Sequence, residues 1–269
     1  MSWAAHHTER TSRWGGRLLP LALVLAAAAA PAQTPTPSAG GPVPEAKELL
    51  RRMDELYESS GTMAEVEIEI VKPGRTRTLR LKNWSRGEEK ALIVIEAPAR
   101  DAGTATLKVG DNLWNYLPKI SRTIRIPPSM MMGSWMGTDL TNDDLVRESS
   151  YEEDYTSELV GRSADPPGWE VRLDARAGIA GLWDRVEIVF SFEDRLPVEA
   201  RFYDRKGRWA RTMHFEDARR MGGRLIPSRI TIVPEGEEGQ RTIMQYITVE
   251  FNVDLDEGMF SLSRLERKR

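Results

Sequence analysis

The 269-residue chain has no cysteine and three histidines, and both shortages narrow its chemistry. Without a thiol there is no disulfide, no thiolate nucleophile, no cysteine-ligated metal and no N-terminal cysteine to carry a lipid. His6 and His7 lie in a segment that reads as a secretory signal over residues 1–32. Arg10, Arg13 and Arg17 give it a basic region, residues 18–30 an apolar run, and Ala30-Pro31-Ala32 a small-residue cleavage site. Cleavage there leaves His214 as the one histidine of the mature chain. A single histidine excludes the two-histidine helices of zinc proteases and most catalytic zinc sites. It also leaves a serine-histidine device with one candidate base, and no Gly-x-Ser-x-Gly elbow is present to serve it. Residues 209–215 alternate as a strand does, so His214 reads as a strand-face residue.

Long apolar runs are missing too. The run in the signal is shorter than the roughly 20 residues a spanning helix needs, and residues 33–44 are a Pro- and Gly-rich flexible linker. The expected product is exported, with residues 45–269 forming one domain. That length suits a single β domain of about 200–250 residues. There is no basic excess: 38 Lys and Arg face 41 Asp and Glu, for a net charge of −3. Charges of both signs interleave, as in residues 201–211 (RFYDRKGRWAR), which reads as a solvated strand face. No nucleic-acid partner is expected.

Residues 44–60 are expected to form an amphipathic helix, since Leu49, Leu50, Met53, Leu56 and Tyr57 recur at three- and four-residue spacing before Gly61. From Thr62 the period changes to two. Alternating segments follow at 63–70, 76–84, 91–97, 104–109, 112–117 and 122–126, punctuated by Pro73-Gly74, Arg86-Gly87, Gly110-Asp111 and Pro118-Lys119. Seven more follow residue 155, at 155–160, 169–174, 182–192, 197–203, 209–215, 224–233 and 242–251. Residues 204–207 and 234–239 read as hairpin tips, and Gly222-Gly223 as a tight turn. The pattern describes an antiparallel meander that curls into a sandwich or an open barrel. Near the C-terminus, Met259, Phe260 and Leu262 are expected to dock a short turn on it.

The interruption is residues 129–145, SMMMGSWMGTDLTNDDL, entered through Pro127-Pro128. Burying one large apolar side chain is worth roughly 1.5–3 kcal/mol. Met130, Met131, Met132, Trp135, Met136 and Leu140 therefore need an apolar partner, either as core filling or as a flexible cover over a hydrophobic ligand. Thr141 and Asp144 fit an acidic helix cap, whereas the same stretch fails the calcium-loop template, which needs a glycine at its sixth position. The acidic run at residues 151–155 (YEEDY) reads as a solvated loop, and a glycosidase pair of carboxylates is defined by spacing in the fold and not by sequence.

Three stretches together carry a resemblance. Residues 113–118 read Leu-Trp-Asn-Tyr-Leu-Pro, Arg122-x-x-Arg125-Ile126 follows, and then comes Ser134-Trp135-Met136-Gly137-Thr138-Asp139-Leu140-Thr141-x-x-Asp144-Leu145. In these the chain resembles the outer-membrane lipoprotein-sorting, LolA-like family. Trp135, Thr138 and Leu140 are conservative departures from that family's pattern. The resemblance implies a mainly β fold: a half-open curved antiparallel β-barrel with an N-terminal amphipathic helix and a Met-rich lid. It implies a monomeric, non-enzymatic periplasmic carrier without a cofactor, which takes acyl chains of a lipoprotein or lipid towards the outer membrane. An inner-membrane exporter and an outer-membrane acceptor would be its partners. The candidate cavity or lid residues are Trp114, Tyr116, Met130, Met131, Met132, Trp135, Met136 and Leu140. The family also implies an arginine of the barrel that holds the lid closed, without assigning it a position here. A rival reading on the same fold is an envelope sensor or scaffold that binds a protein partner.

Overall fold

The computed structural model describes residues 43–146, 151–177 and 183–266; the expected signal, most of the expected linker and Leu182 lie outside them. Thirteen antiparallel strands form one sheet, which excludes the sandwich. They are β1 (Thr62–Lys72), β2 (Arg75–Arg86), β3 (Lys90–Ala97), β4 (Ala105–Val109), β5 (Asn112–Leu117), β6 (Arg122–Arg125), β7 (Tyr155–Ala164), β8 (Pro167–Ala175), β9 (Trp183–Phe190), β10 (Pro197–Asp204), β11 (Trp209–Met221), β12 (Arg224–Pro234) and β13 (Arg241–Phe251). Their order is β6-β5-β4-β3-β2-β1-β13-β12-β11-β10-β9-β8-β7. The chain builds outward from β1 to one edge at β6, restarts at the opposite edge with β7, and returns until β13 pairs with β1. The chain between β6 and β7 thus joins the two free edges, and its described residues 126–146 lie across the sheet between them.

Alternation explains the cores on the crossed face. Val171, Leu173, Val186, Ile188, Ala200 and Phe202 face one way along β8, β9 and β10 and are covered by α1 (Ala46–Asp54), whose Leu49 and Leu50 are wholly buried. Val66, Ile68, Leu79, Leu81 and Ile95 make the neighbouring cluster on β1, β2 and β3, with Trp135 laid on it. On the other face of β3 and β4, Leu92, Val94, Ala105 and Leu107 pack against Leu255, Phe260 and Leu265 of the C-terminal segment. That segment holds a 3-10 turn (Glu257–Phe260) and a short helix (Leu262–Glu266); Leu265 is its buried anchor, while Leu262 is exposed.

Two local expectations need correction. The N-terminal helix stops at Asp54 instead of residue 60, because Arg224 donates to the carbonyls of Glu55 and Glu58. The Glu55 carbonyl, which another helical turn would have used, is satisfied by that cation instead, and Tyr57 donates to the Pro227 carbonyl at 2.6 Å. The run at 151–155 is not a loop: it forms a helical turn, Tyr151–Asp154, with Tyr151 packed on the β8–β10 cluster.

Truncating a wholly buried leucine costs about 2–5 kcal/mol. Leu50→Ala should lower the stability read from urea denaturation by that amount, with Leu262→Ala, on an exposed side chain, within about 0.5 kcal/mol of the parent.

Candidate functional site

Between the crossing segment and the sheet lies a cavity of about 300 Å3. Its walls are apolar side chains of β11, β12 and β13, including Met213, Phe215, Ile230, Ile232 and Met244, with Tyr57 stacked on Tyr246 at 5.0 Å. Leu140 and Leu145 of the crossing segment close one side, and Trp183, Phe202 and Tyr151 stand at another. A volume of this size holds roughly ten water-sized groups, at the lower end for ligand pockets.

The segment over it is fixed at several points. Trp135 is 2% exposed, and its Nε1 donates to Thr106 Oγ1 at 3.0 Å. Residues 134–141 fold back as a small loop: Ser134 bridges Thr141, Trp135 N–H donates to the Leu140 carbonyl, and Met136 and Gly137 take positive φ at its turn. Arg77 Nη1 donates to the Met136 carbonyl at 3.0 Å. Asp139 accepts from Gln240 and Thr242 at 2.6 and 2.7 Å. Thr141 then caps a short helix (Asn142–Val146): its N–H donates to Asp144 Oδ2 at 2.7 Å, and Asp144 N–H donates to its Oγ1 at 3.1 Å. This is the reciprocal cap expected from the residue types.

Asp144 has a second partner. Arg211 Nη1 donates to Asp144 Oδ2 at 2.6 Å and Nη2 to Oδ1 at 2.7 Å, a bidentate pair. The side chains are 5% and 14% exposed. Nη1 also reaches the Asp139 carbonyl at 3.3 Å, and the guanidinium lies 4.4 and 4.5 Å from the ring centres of Trp183 and Phe202. One cation of the sheet thus grips the crossing segment at two residues. Burial, the largest single influence on the Asp144 carboxyl, pushes its pKa up. The Arg211 charge and the hydrogen bonds from Arg211 and Thr141 together exceed that, and hold the carboxyl below the usual carboxylate range. Burial also pushes the Tyr57 and Tyr151 hydroxyls up, so both are neutral donors near neutral pH.

Arg211 is the correction that matters most. Residues 201–211 read as a solvated face, but Arg211 points inward. Phe202 pairs with Arg211 and Tyr203 with Trp209, so Ala210 is an extra residue, and such a bulge re-aims the side chains beside it. The signal was present: Arg211, Met213 and Phe215 share one face at two-residue spacing. His214 takes the opposite face, opposite Glu199 in register, with Nδ1 3.4 Å from Glu199 Oε2.

Of the eight candidates named from sequence, Leu140 lines the cavity. Trp135 and Met136 pack on the β1–β3 cluster beside it. Met130 and Met132 are exposed on the run leading to the crossing, with Met131 between them partly covered. Trp114 and Tyr116 pack with the C-terminal segment. The cavity side chains of β11–β13 were not singled out, because a strand's apolar side looks the same whether it meets a core or a void.

The fold has known relatives. Over residues 87–267 the chain matches the model of a family described as uncharacterized protein, and it belongs to that family. No curated protein matches it. A solved DUF1329 family protein from Desulfovibrio piger superposes with a TM-score of 0.75 at 24% identity, covering 82% of this chain and 97% of that one. A LolA superfamily protein from Nitrosomonas europaea gives 0.70 at 22%, covering 82% and 100%. An outer membrane lipoprotein-sorting protein domain from Vibrio parahaemolyticus gives 0.70 at 21%, covering 82% and 98%. The half-open sheet with its helix and crossing segment is a LolA-like fold.

Breaking a buried pair by removing one partner costs about 3–5 kcal/mol. Arg211→Leu should lose that much, and amide exchange should rise first across residues 133–146. The Asp144 carboxyl has a lower pKa folded than unfolded, so the pair's contribution is complete above the ordinary carboxylate value of about 4. It is lost as pH falls through the folded value. Acid should therefore loosen the same amides in the parent, while in Arg211→Leu that acid step should shrink or vanish.

Proposed function

We propose that the protein is a periplasmic carrier that shelters an acyl chain of a lipoprotein or lipid beneath the crossing segment and delivers it towards the outer membrane. The observation that carries this reading is the mainly apolar cavity, with Asp54, Glu58, Asp143 and Asp154 also among its lining, covered by a segment held through the buried Arg211–Asp144 pair. Each buried methylene is worth about 0.8 kcal/mol, so ten of them would supply about 8 kcal/mol before the costs of association. A cavity of about 300 Å3 suits one chain as it stands. Further chains require the cover to lift, and lifting it breaks the ion pair.

Such a carrier needs no catalytic group, only an apolar wall and a cover with a definite closed state. Met213 and Met244 suit the wall because a flexible thioether side chain repacks around ligands of different shape. Loading from an inner-membrane exporter and release to an outer-membrane acceptor complete the role. Release is downhill if the acceptor binds the chain more tightly than the cavity does.

Native mass spectrometry of protein purified from the periplasm should show a bound lipid or acylated peptide, and fluorescent fatty-acyl probes should be displaced by it. A cavity that is reproducibly empty and also refuses such probes would sink the proposal. Met213→Trp, which fills the cavity, should weaken probe binding at least tenfold while the urea midpoint moves little.

A further inference from the structure

Nine large hydrophobic side chains are exposed among the described residues, and four of them, Ile120, Ile124, Met130 and Met132, fall within thirteen residues. Ile120 is at the tip of the β5–β6 hairpin and is 57% exposed. Ile124 is on β6, and the methionines follow Pro127-Pro128. Ile124 pairs with Asn115, whose side-chain oxygen accepts from Thr106, which in turn accepts from Trp135. Ile124 and the crossing segment therefore share one face of the sheet.

The charge there is equally one-sided. From Asn112 to Thr138 the sequence has no Asp or Glu, in a chain that carries 41. The same stretch supplies Lys119, Arg122 and Arg125, all exposed. Arg125 bonds the side chain of Asn112, and no carboxylate among the described residues pairs with Lys119 or Arg122. A protein of net negative charge thus carries four exposed apolar side chains and three exposed cations along one edge hairpin and the run that leaves it, with Ile120 at the tip and the methionines beyond the other end, where Ile126 pairs with Leu113.

We propose that this edge hairpin and the Met-rich run that follows it dock the protein on an anionic lipid surface. Side chains of this kind enter the headgroup layer while the flanking cations meet lipid phosphates. Charge complementarity selects that occupant. Addition of a partner strand is disfavoured, because β6 has four residues and two prolines follow it closely. The docking surface is separate from the cavity wall.

The test is co-sedimentation of the full chain with phosphatidylethanolamine–phosphatidylglycerol vesicles and with phosphatidylcholine vesicles. The parent should partition to the anionic vesicles, less so at high salt. The double variant Ile120→Asp, Ile124→Asp should bind at least tenfold less. Lys119→Glu with Arg122→Glu should lose about fivefold for each cation removed and flatten the salt dependence. All four side chains are exposed, so unchanged urea midpoints confirm that the variants fold. Failure of the parent to bind anionic vesicles overturns the proposal, as does undiminished binding by the double variant. Capture of a protein through this patch without vesicle binding overturns it too. The double variant should keep its acyl-probe affinity and Met213→Trp its vesicle binding, so either reading can fail without the other.

Discussion

One connection governs this molecule: consecutive strands β6 and β7 stand at opposite edges of a thirteen-stranded sheet. The chain between them has to traverse the sheet, and along the way its backbone must find hydrogen-bond partners over an apolar surface. Unpaired peptide groups there would be costly. Ser134 and Thr141 bridge each other, Arg77 and Arg211 supply donors to carbonyls, and Thr242 accepts the Asp139 amide. The polar residues of the crossing are the means by which an irregular segment lies on apolar side chains.

The same requirement accounts for the buried Arg211. A guanidinium in an apolar wall is tolerable when its charge is paired and its flat faces meet aromatic rings, and Asp144, Trp183 and Phe202 provide both. Asp144 serves in addition as the acid of its own helix cap, so the start of that helix and the grip on the sheet depend on one carboxylate. A hydrophobic pair of equal volume could be as stable, but it would have lacked this fixed register and its response to protonation.

Much of this was legible in the chain. Period-two segments and their turns locate all thirteen strands, because alternation records which face is buried, and Thr141 with Asp144 marks the helix start. The LolA-like resemblance was carried by residues 113–145, the stretch that includes the crossing. What escaped depends on contacts remote in sequence. The helix ends early because of Arg224, well over a hundred residues away. Ala210 adds one residue to β11, and no local composition announces a bulge. Trp114 and Tyr116 are on a strand with two apolar faces, and alternation does not say which face meets a ligand.

Those two-faced strands carry a further meaning. With the C-terminal segment on one side and Trp135 on the other, β4 has four consecutive buried residues, Ala105, Thr106, Leu107 and Lys108. Ordinarily a strand of an open sheet offers every second position to water and to evolutionary drift. Here neighbouring positions are constrained alike, so a map of tolerated substitutions would show a continuous block where the rest of the sheet shows stripes. Sequence divergence among related chains would leave the same block, a signature of burial from both sides that needs no coordinates to detect.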